Sequence, residues 1–340
     1  MKTLKTLLKV LLAGCCAVFI LSILLMPYST IPVHIKNPDK NTDYVWPSNA
    51  KWMKMTEGIA WGKYDEKGYN NAEVIENPDI IVLGSSHMEA TNITNEENMT
   101  YILNEKIGDR YSVYNMGISG HHLYKVSKYL PVNLELFEST PKAVIIETDS
   151  VNIDQKNVDK LLEGNVDFTP SYDTGIIRKL QMVPFLRIVH QNIDSGLLKL
   201  FMPEISAKTT SSVKPQEKSS IDEKPYETLL KYIGDIGKEY STHIIICYHP
   251  TGVLNKDGTL SYNCEEYSDV FKKYAEENGI TYVNLQSEFE KMYIEKNLVS
   301  HGFTTGKVEY GHLNRYGHKK MAEALYETIN KLEKEKVICK

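Results

Sequence analysis

Hydrophobic positions are concentrated first in an uncharged run near the N-terminus. Three lysines within the first nine residues precede this run, which extends from Val10 to Met26. Its length approaches the ~20 residues that cross a hydrocarbon core ~30 Å thick. Lysines on the N-terminal flank favour a cytoplasmic N-terminus. We therefore predict a cytoplasmic tip and a single transmembrane signal anchor over residues 1–27, with everything that follows outside the cytoplasm.

Two other interpretations of this run are open. A cleaved signal peptide has the same charge order, but its apolar region is usually shorter and ends at a small-residue site, and no such site follows Met26. Residues Leu12 to Cys15 match a lipoprotein cleavage box, although Lys9 leaves almost no apolar region before it. All three interpretations place the main domain outside the cytoplasm.

Beyond residue 78 the chain alternates short apolar, β-branched runs with stretches of helical spacing. The runs predict strands at Ile80–Leu83, Tyr111–Tyr114, Ala143–Ile146, His243–Cys247 and Ile280–Val283. Helical spacing recurs near 95–107, 121–137, 226–240 and 264–278, and again in a last amphipathic helix over 315–336. This alternation is typical of a sheet covered by helices on both faces. The predicted fold class is α/β, a three-layer α/β/α domain over 79–340 with a mostly parallel five-stranded sheet.

Three segments depart from this pattern. Residues 28–78 are rich in Pro, Asn, Asp, Lys and aromatic residues, and we predict a stalk and an irregular lead-in. Residues 151–202 carry apolar side chains at helical spacing, which predicts a helical insertion. Residues 203–225 are rich in Ser, Lys and Pro, which predicts a mobile loop.

Composition and charge narrow the function classes. The net charge is −5 and no Lys/Arg face is evident, so the sequence gives no electrostatic footprint for nucleic acid. The five cysteines form no CxxC pair, which argues against a thiolate zinc site and a disulfide framework. A single bridge between Cys247 and Cys264 stays open.

Two turns after predicted strands carry candidate chemistry. Gly84, Ser85 and Ser86 follow the first strand at the carboxyl edge of the sheet, where open α/β folds bind ligands. Gly117 follows the second strand, and a glycine there can turn an N–H toward an oxyanion. The alternative is that both are turns whose residues serve geometry only.

The third candidate precedes the last helix. Glu309 lies three residues before His312, so its carboxylate can hold one imidazole nitrogen while the other is free to act as a base for a serine. Asn314 is a suitable helix N-cap. A histidine in such a loop can also be structural or merely solvated.

The order of these three segments resembles the SGNH, or GDSL-type, hydrolase and acyl-transferase superfamily, which has a flavodoxin-like fold. The resemblance implies that Ser86 is the nucleophile, that Gly117 supplies an oxyanion N–H (with Gly120 close enough to compete), and that His312 is the base. Glu309 stands where the family has aspartate, one methylene longer.

The third block of the family departs further. Where the family shows G-x-N-D, the chain reads Glu147-Thr148-Asp149-Ser150-Val151-Asn152. Asp149 lies nearest to the family's asparagine, but an ionised carboxylate cannot donate to an oxyanion. Either Asn152 or another group donates, or the oxyanion hole has only the N–H groups of Ser86 and Gly117.

The serine at Ser85, in place of the family's aspartate, is similar to a branch that acylates or deacylates cell-envelope polymers outside the cytoplasm. That branch includes proteins like the teichoic-acid D-alanylation factor and polysaccharide O-acetyl-transferases. The resemblance implies a membrane-anchored serine esterase or O-acyl-transferase without a cofactor. Its partners would be an acylated carbohydrate or related envelope polymer and a membrane acyl-donor protein.

Two other functions compete with this one. A non-catalytic envelope protein with the same fold could bind a glycan or a partner in its cleft, and the weak third block favours it. A metal-dependent hydrolase could use Glu309, His312 and His318 as ligands.

Further histidines are candidates for a pocket lining. His87, His121 and His249 each follow a predicted strand and could face one pocket. We predict that the substrate site is lined by His87, His122 and His249.

Overall fold

The computed structural model describes residues 2–24, 35–54, 57–165, 185–186, 221–262, 265–303 and 311–338. In these ranges the main helices are α1 (Lys2–Leu24), α2 (Ser86–Glu89), α3 (Met99–Ile107), α4 (Leu123–Leu134), α5 (Gln155–Leu162), α6 (Lys224–Glu239), α7 (Glu265–Glu277), α8 (Gln286–Lys296) and α9 (Arg315–Lys334). The strands are β1 (Ile35–Lys36), β2 (Tyr44–Val45), β3 (Lys51–Lys54), β4 (Ala60–Lys63), β5 (Ile80–Leu83), β6 (Val113–Asn115), β7 (Ala143–Thr148), β8 (His243–Tyr248), β9 (Val253–Leu254), β10 (Leu260–Ser261) and β11 (Thr281–Asn284).

A five-stranded parallel sheet forms the centre of the domain. Its strand order is β11–β8–β7–β5–β6, and each neighbouring pair is parallel. The strand that follows β5 in the chain, β6, lies on one side of it, and the next strand, β7, lies on the other side. The direction in which strands are added to the sheet therefore reverses between β5 and β7. The carboxyl ends of β5 and β7 therefore flank a topological switch point, where open α/β sheets bind ligands.

The sheet separates two apolar layers, which confirms the predicted three-layer α/β/α class. Alternate side chains of a strand point to opposite faces. Ile81 and Leu83 accordingly pack with α4, α5, α6 and α7, while Ile80 and Val82 pack with α3, α8 and α9. The four side chains are almost completely buried, as expected for a strand covered on both faces.

The five predicted sheet strands are present: Ile80–Leu83 has the predicted boundaries, and the ends of the other four differ by at most two residues. Helix α8 was not predicted; only Phe289 and Met292 are buried along it, too few to give a helical stripe. Helix α5 lies within the predicted insertion, of which residues 166–184 and 187–202 lie outside the described residues. The predicted loop 203–225 is described only from residue 221, and α6 already begins at its last two positions.

The segment predicted as a stalk and irregular lead-in differs from that expectation. From residue 35 it forms two antiparallel hairpins, β1–β2 and β3–β4. Its aromatic side chains enter the core on the α4 side, where Trp46 stacks on the buried Tyr64 with ring centroids 5.3 Å apart. Apolar burial of this kind attaches the lead-in to the sheet domain.

Helix α1 contains a stretch, Thr3–Leu24, that is long and apolar enough to cross a membrane, and none of it is buried. A signal sequence has the same properties. Cys15 and Cys16 on this helix and the buried Cys247 on β8 are free thiols, and Cys264 lies outside the described residues.

A buried ion pair joins the lead-in to α4. The ammonium group of Lys125, whose side chain is only 1% exposed, contacts the carboxylate of Asp43, and the Tyr129 hydroxyl donates to the same carboxylate. Burial alone would raise the pKa of Asp43, but the hydrogen bonds from Lys125 and Tyr129 outweigh it and hold the pKa below its usual range. Asp43 therefore stabilises the fold in its ionised form.

We expect Asp43→Ala to destabilise the protein by about 3 kcal/mol, because it leaves the Lys125 charge buried without its carboxylate partner. Lys125→Met removes that charge and keeps the apolar stem, so its cost is smaller. Urea unfolding of the detergent-solubilised chain at pH 7 measures both. Since the folded pKa of Asp43 is lowered, the Asp43 contribution is present at pH 7 and is lost as pH falls through that pKa. If Asp43→Ala cost no more free energy of unfolding than Lys125→Met, the ion pair would not stabilise the fold in the way described.

Candidate active site

The turn after β5 presents a serine at the carboxyl edge of the sheet. Ser85 caps the short helix α2, with its Oγ accepting the N–H of His87 at 3.3 Å. Ser86 is the first residue of α2. No hydrogen bond from the Ser86 N–H is found within the described part of the chain. This N–H is available to a ligand atom beside the Ser86 side chain.

Ser86 and His312 meet across this edge although 226 residues separate them. Nε2 of His312 lies 2.8 Å from Oγ of Ser86. Backbone pairing holds the histidine segment in place: the Gly302 N–H donates to the His312 carbonyl, and the Asn314 N–H donates to the Ser300 carbonyl. Asn314 also caps α9 by accepting the N–H groups of Tyr316 and Gly317, which confirms the predicted N-cap.

The second nitrogen of His312 contacts a carboxylate that was not predicted. Nδ1 of His312 hydrogen-bonds to Oε2 of Glu57, a residue of the lead-in. Burial opposes ionisation of Glu57, but the hydrogen bond to His312 and the nearby charge of Lys54 lower the pKa of its carboxyl below the usual value. Glu57 is thereby an ionised partner that fixes the His312 ring and leaves Nε2 facing Ser86.

The role assigned from sequence to Glu309 is thus occupied by Glu57 in the structure, and Glu309 itself lies outside the described residues. Glu57 lies 255 residues before His312 and in no recognisable motif. Only the packing of the lead-in against the domain brings the two together, so sequence spacing carried no signal for it.

The predicted oxyanion residues are placed differently from the expectation. The Gly117 N–H already donates to Oδ1 of Asn115 at 2.9 Å. A Cβ at Gly117 would lie 2.7 Å from the Met88 carbonyl carbon and 2.8 Å from the Glu89 nitrogen, so this glycine is needed for close approach of α2. Asn152 is exposed, and its N–H donates to Ser150 Oγ. Of the two predicted backbone donors, Ser86 and Gly117, the Ser86 N–H is the one left uncommitted within the described residues.

Glu147, at the carboxyl end of β7, organises the serine turn from below. Its Oε2 accepts the Ser85 N–H at 2.6 Å, and its Oε1 accepts the Ser85 hydroxyl at 3.3 Å. Its side chain is fully buried. A Cβ at Gly84 would lie 2.5 Å from the Glu147 carboxylate, so only glycine admits it at this point. The sequence contained a signal for this role, because Glu147 directly follows the apolar run Ala143–Ile146.

Two further histidines extend from Glu147 into the interior. Nε2 of His249 lies 2.5 Å from Glu147 Oε1, Nδ1 of His249 lies 3.2 Å from His301 Nε2, and His301 Nδ1 lies 2.9 Å from Ser300 Oγ. Because a carboxylate only accepts, His249 carries its proton on Nε2 and its Nδ1 accepts from His301. In the neutral tautomer His301 then accepts from the Ser300 hydroxyl. Burial, together with the neighbouring His301, lowers the pKa of His249, in keeping with a neutral ring.

Of the three predicted pocket-lining histidines, only His87 is in a position to line the site. Its ring centroid lies 5.1 Å from that of His312 and 4.5 Å from that of His249. His249 is completely buried, with both nitrogens engaged, so it supports the site rather than lining it. His122 is exposed at the start of α4. His121 stacks on Tyr129, and His301, which was not selected from the sequence, stacks on His249.

The side chains of His87, His249 and His301 also meet the distance criterion for a metal site, since one ring nitrogen from each lies within 4.8 Å of the others. A metal needs an unprotonated nitrogen from each imidazole. Nδ1 of His87 already accepts the Leu313 N–H at 3.1 Å, so the neutral ring carries its proton on Nε2 and has no free lone pair. This hydrogen-bond pattern fits a network of neutral imidazoles better than a metal centre.

The second candidate metal site, predicted from the sequence as Glu309, His312 and His318, is also disfavoured by the hydrogen bonds of its histidines. Both ring nitrogens of His312 are engaged, by Ser86 and Glu57. His318 is buried in α9, where its Nδ1 accepts the Met99 N–H at 3.2 Å. Glu309 lies outside the described residues. The described geometry favours serine–histidine chemistry over a metal held by this set.

Comparison with known proteins gives only distant likenesses. No family model and no curated protein matches the sequence. Among solved structures, the acetyl xylan esterase AlAXEase matches at 14% identity over 74% of this chain and 99% of that chain, with a TM-score of 0.41. TesA matches at 13% identity over 74% and 98%, with a TM-score of 0.40. The esterase EstA from Pseudoalteromonas sp. matches at 15% identity over 74% and 96%, with a TM-score of 0.38.

The two candidate acids can be ranked by mutation. We expect Glu57→Gln to slow the reaction of Ser86 with a fluorophosphonate by about 10²- to 10⁴-fold, because His312 loses the carboxylate that orients it and stabilises its protonated form. The second-order labelling rate is the measurement, with Glu138→Gln, an exposed acid, as the control. An equal or larger loss in Glu309→Gln would show that Glu309 orients His312 instead.

Glu147→Ala tests the buried network. It leaves the Ser85 N–H and His249 Nε2–H without their acceptor, so we expect a loss of about 3–5 kcal/mol in the free energy of unfolding. Urea unfolding followed by circular dichroism measures this, with Glu138→Ala as the matched control. A cost below about 1 kcal/mol would mean that water or another group satisfies both donors.

Proposed function

We propose that this protein is a membrane-anchored serine esterase or O-acyl-transferase that acts outside the cytoplasm. The observation that carries the proposal is the connected arrangement of Ser86, His312 and Glu57. One imidazole nitrogen faces the serine hydroxyl at 2.8 Å while the other contacts a carboxylate. A nucleophile, a base and a group that orients the base are the parts that acyl transfer requires.

The geometry supports a two-step reaction. His312 Nε2 takes the Ser86 hydroxyl proton as Oγ attacks the ester carbonyl, and the N–H of Ser86 faces the developing oxyanion. His312 then gives the proton to the leaving alcohol, which departs and leaves an acyl-Ser86. Water or an acceptor hydroxyl then attacks the carbonyl of the acyl-Ser86, and His312 takes its proton. His312 returns that proton to Ser86 Oγ as the acyl group leaves on the water or the acceptor. Glu57 holds the Nδ1 proton and stabilises the imidazolium that forms in each step.

The oxyanion donors set an expectation for the rate. With the Gly117 N–H committed to Asn115, a donor that the resembled family uses is withdrawn. One missing oxyanion donor costs ~10²–10³ in rate. We therefore expect slow turnover on simple esters.

The substrate and location follow from the anchor and the resemblance. Lysines before an apolar helix favour a domain outside the cytoplasm, next to the membrane surface. The G-S-S block is similar to enzymes of cell-envelope acylation. We therefore propose an acylated carbohydrate or a related envelope polymer as the substrate, and a membrane acyl-donor protein as the partner if the reaction is transfer.

A non-catalytic glycan-binding protein is the second candidate. The committed Gly117 N–H and the carboxylate of Asp149 at the third block favour it, because both reduce stabilisation of an oxyanion. It predicts ligand binding that is independent of the Ser86 hydroxyl.

A membrane-impermeant fluorophosphonate applied to intact cells tests activity and location together. We expect it to label Ser86 in the full-length chain, because an oriented histidine activates this hydroxyl and the domain faces outward. Labelling should be lost in Ser86→Ala and His312→Ala and kept in Ser139→Ala, which alters an exposed serine. Peptide mapping of the labelled chain identifies the serine.

The remaining outcomes separate the alternatives. Labelling only after cell lysis would place the domain in the cytoplasm. No labelling of a folded chain under either condition would remove the esterase and leave the binding function.

A further inference from the structure

A histidine and an aspartate face each other at the switch point beside Ser86. His87 follows Ser86 on α2, and Asp149 follows the last residue of β7. Nε2 of His87 lies 4.0 Å from Oδ2 of Asp149. The Asp149 side chain is 39% exposed and that of His87 10%. The pair is thus open to a ligand from the aspartate side.

The orientation of His87 is fixed. The Leu313 N–H donates to Nδ1 at 3.1 Å, and the rings of His249 and His312 pack against the imidazole. Burial, with the neighbouring His249, lowers the pKa of His87 well below its usual value, so the ring is neutral. With Nδ1 accepting, the proton is on Nε2, and His87 presents an N–H donor toward Asp149.

The gap between the two groups fits one oxygen atom. A separation of 4.0 Å is too long for a direct hydrogen bond. An oxygen between them can form two bonds of about 2.8 Å at a bent angle. A hydroxyl, on an alcohol or in a water molecule that an alcohol displaces, accepts from an N–H and donates to a carboxylate through one atom.

The negative charge of Asp149 excludes a role for this side chain in binding the oxyanion. In the resembled family an asparagine near Asp149 donates to the oxyanion, but a carboxylate repels an oxyanion and cannot donate to it. Asp149 equally disfavours an anionic ligand. A neutral, hydroxyl-bearing group is the ligand that both side chains accept.

We propose that His87 and Asp149 form a hydroxyl-binding subsite for the alcohol portion of the ester, or for the acceptor in transfer, and that the enzyme therefore selects polyhydroxylated alcohols. The inference rests on the proposed esterase function, because it assigns the alcohol side of the same site. Asp149 and His87 act here in binding, while Ser86 and His312 perform the acyl chemistry.

A matched pair of esters tests the subsite. Glycerol monoacetate and 2-methylbutyl acetate have alcohol portions of the same branching, with methyl groups in place of hydroxyls. We expect the detergent-solubilised full-length protein to show a kcat/KM about 10- to 100-fold higher for glycerol monoacetate, the range of one hydrogen bond to a charged group. Acetate release is the measurement.

Variants then connect this selectivity to Asp149. In Asp149→Ala the ratio of the two kcat/KM values should fall toward 1, since only the hydroxylated ester loses a contact. Asp149→Asn keeps an acceptor without the charge, so its ratio should be intermediate, and it guards against a folding defect in the alanine variant. The control Glu138→Gln, an exposed acid near the amino end of β7, should keep the wild-type ratio.

The failures are distinguishable. Cleavage of both esters at equal kcat/KM by wild type, or an unchanged ratio in both Asp149 variants, overturns the subsite and leaves the esterase standing. Cleavage of neither ester by folded wild-type protein overturns the esterase and the subsite with it.

Discussion

A carboxylate withdrawn from water must have donors for its oxygens, and at Glu147 these donors come from two other parts of the chain. The Ser85 N–H and hydroxyl come from the turn after β5, and the ring Nε2–H of His249 comes from the residue after β8. Gly84 is required because any side chain there would collide with the carboxylate. The turn that carries Ser86 is therefore tied to β7 directly and to β8 through Glu147, and the position of the nucleophile follows from the satisfaction of a buried carboxylate.

Histidines around this centre perform different tasks through the same chemistry. His249 and His301 have both ring nitrogens engaged by protein groups and serve as supports. His312 is also held on Nδ1, but its Nε2 faces a serine hydroxyl that is partly exposed. His87 is held on Nδ1 and presents Nε2–H toward the cleft. What each imidazole can do is set by its partner on the other nitrogen.

The sheet and half of the site could be predicted because they are encoded locally. Short apolar runs mark the five strands, Ser86 lies in the turn after the first of them, and His312 lies just before the last amphipathic helix. Glu57 and His301 could not be found this way, since each reaches the site through contacts between distant segments. Gly117 shows the opposite error: its spacing matched a motif, but the close approach of Met88 explains the glycine and Asn115 takes its N–H. Helix α8 escaped prediction because apolar residues on it, such as Ile294, are exposed.

The lead-in between α1 and the sheet has a consequence for where the working unit of this protein begins. A fragment started at residue 79, where the strand pattern begins, would retain Ser86 and His312 and would look complete by motif. It would lack Glu57, and it would lose the aromatic layer of Trp46 and Tyr64 that covers one face of the sheet. A unit that contains the whole arrangement has to include Trp46, Glu57 and Tyr64, so the segment between the apolar helix and the sheet is also a part of the site.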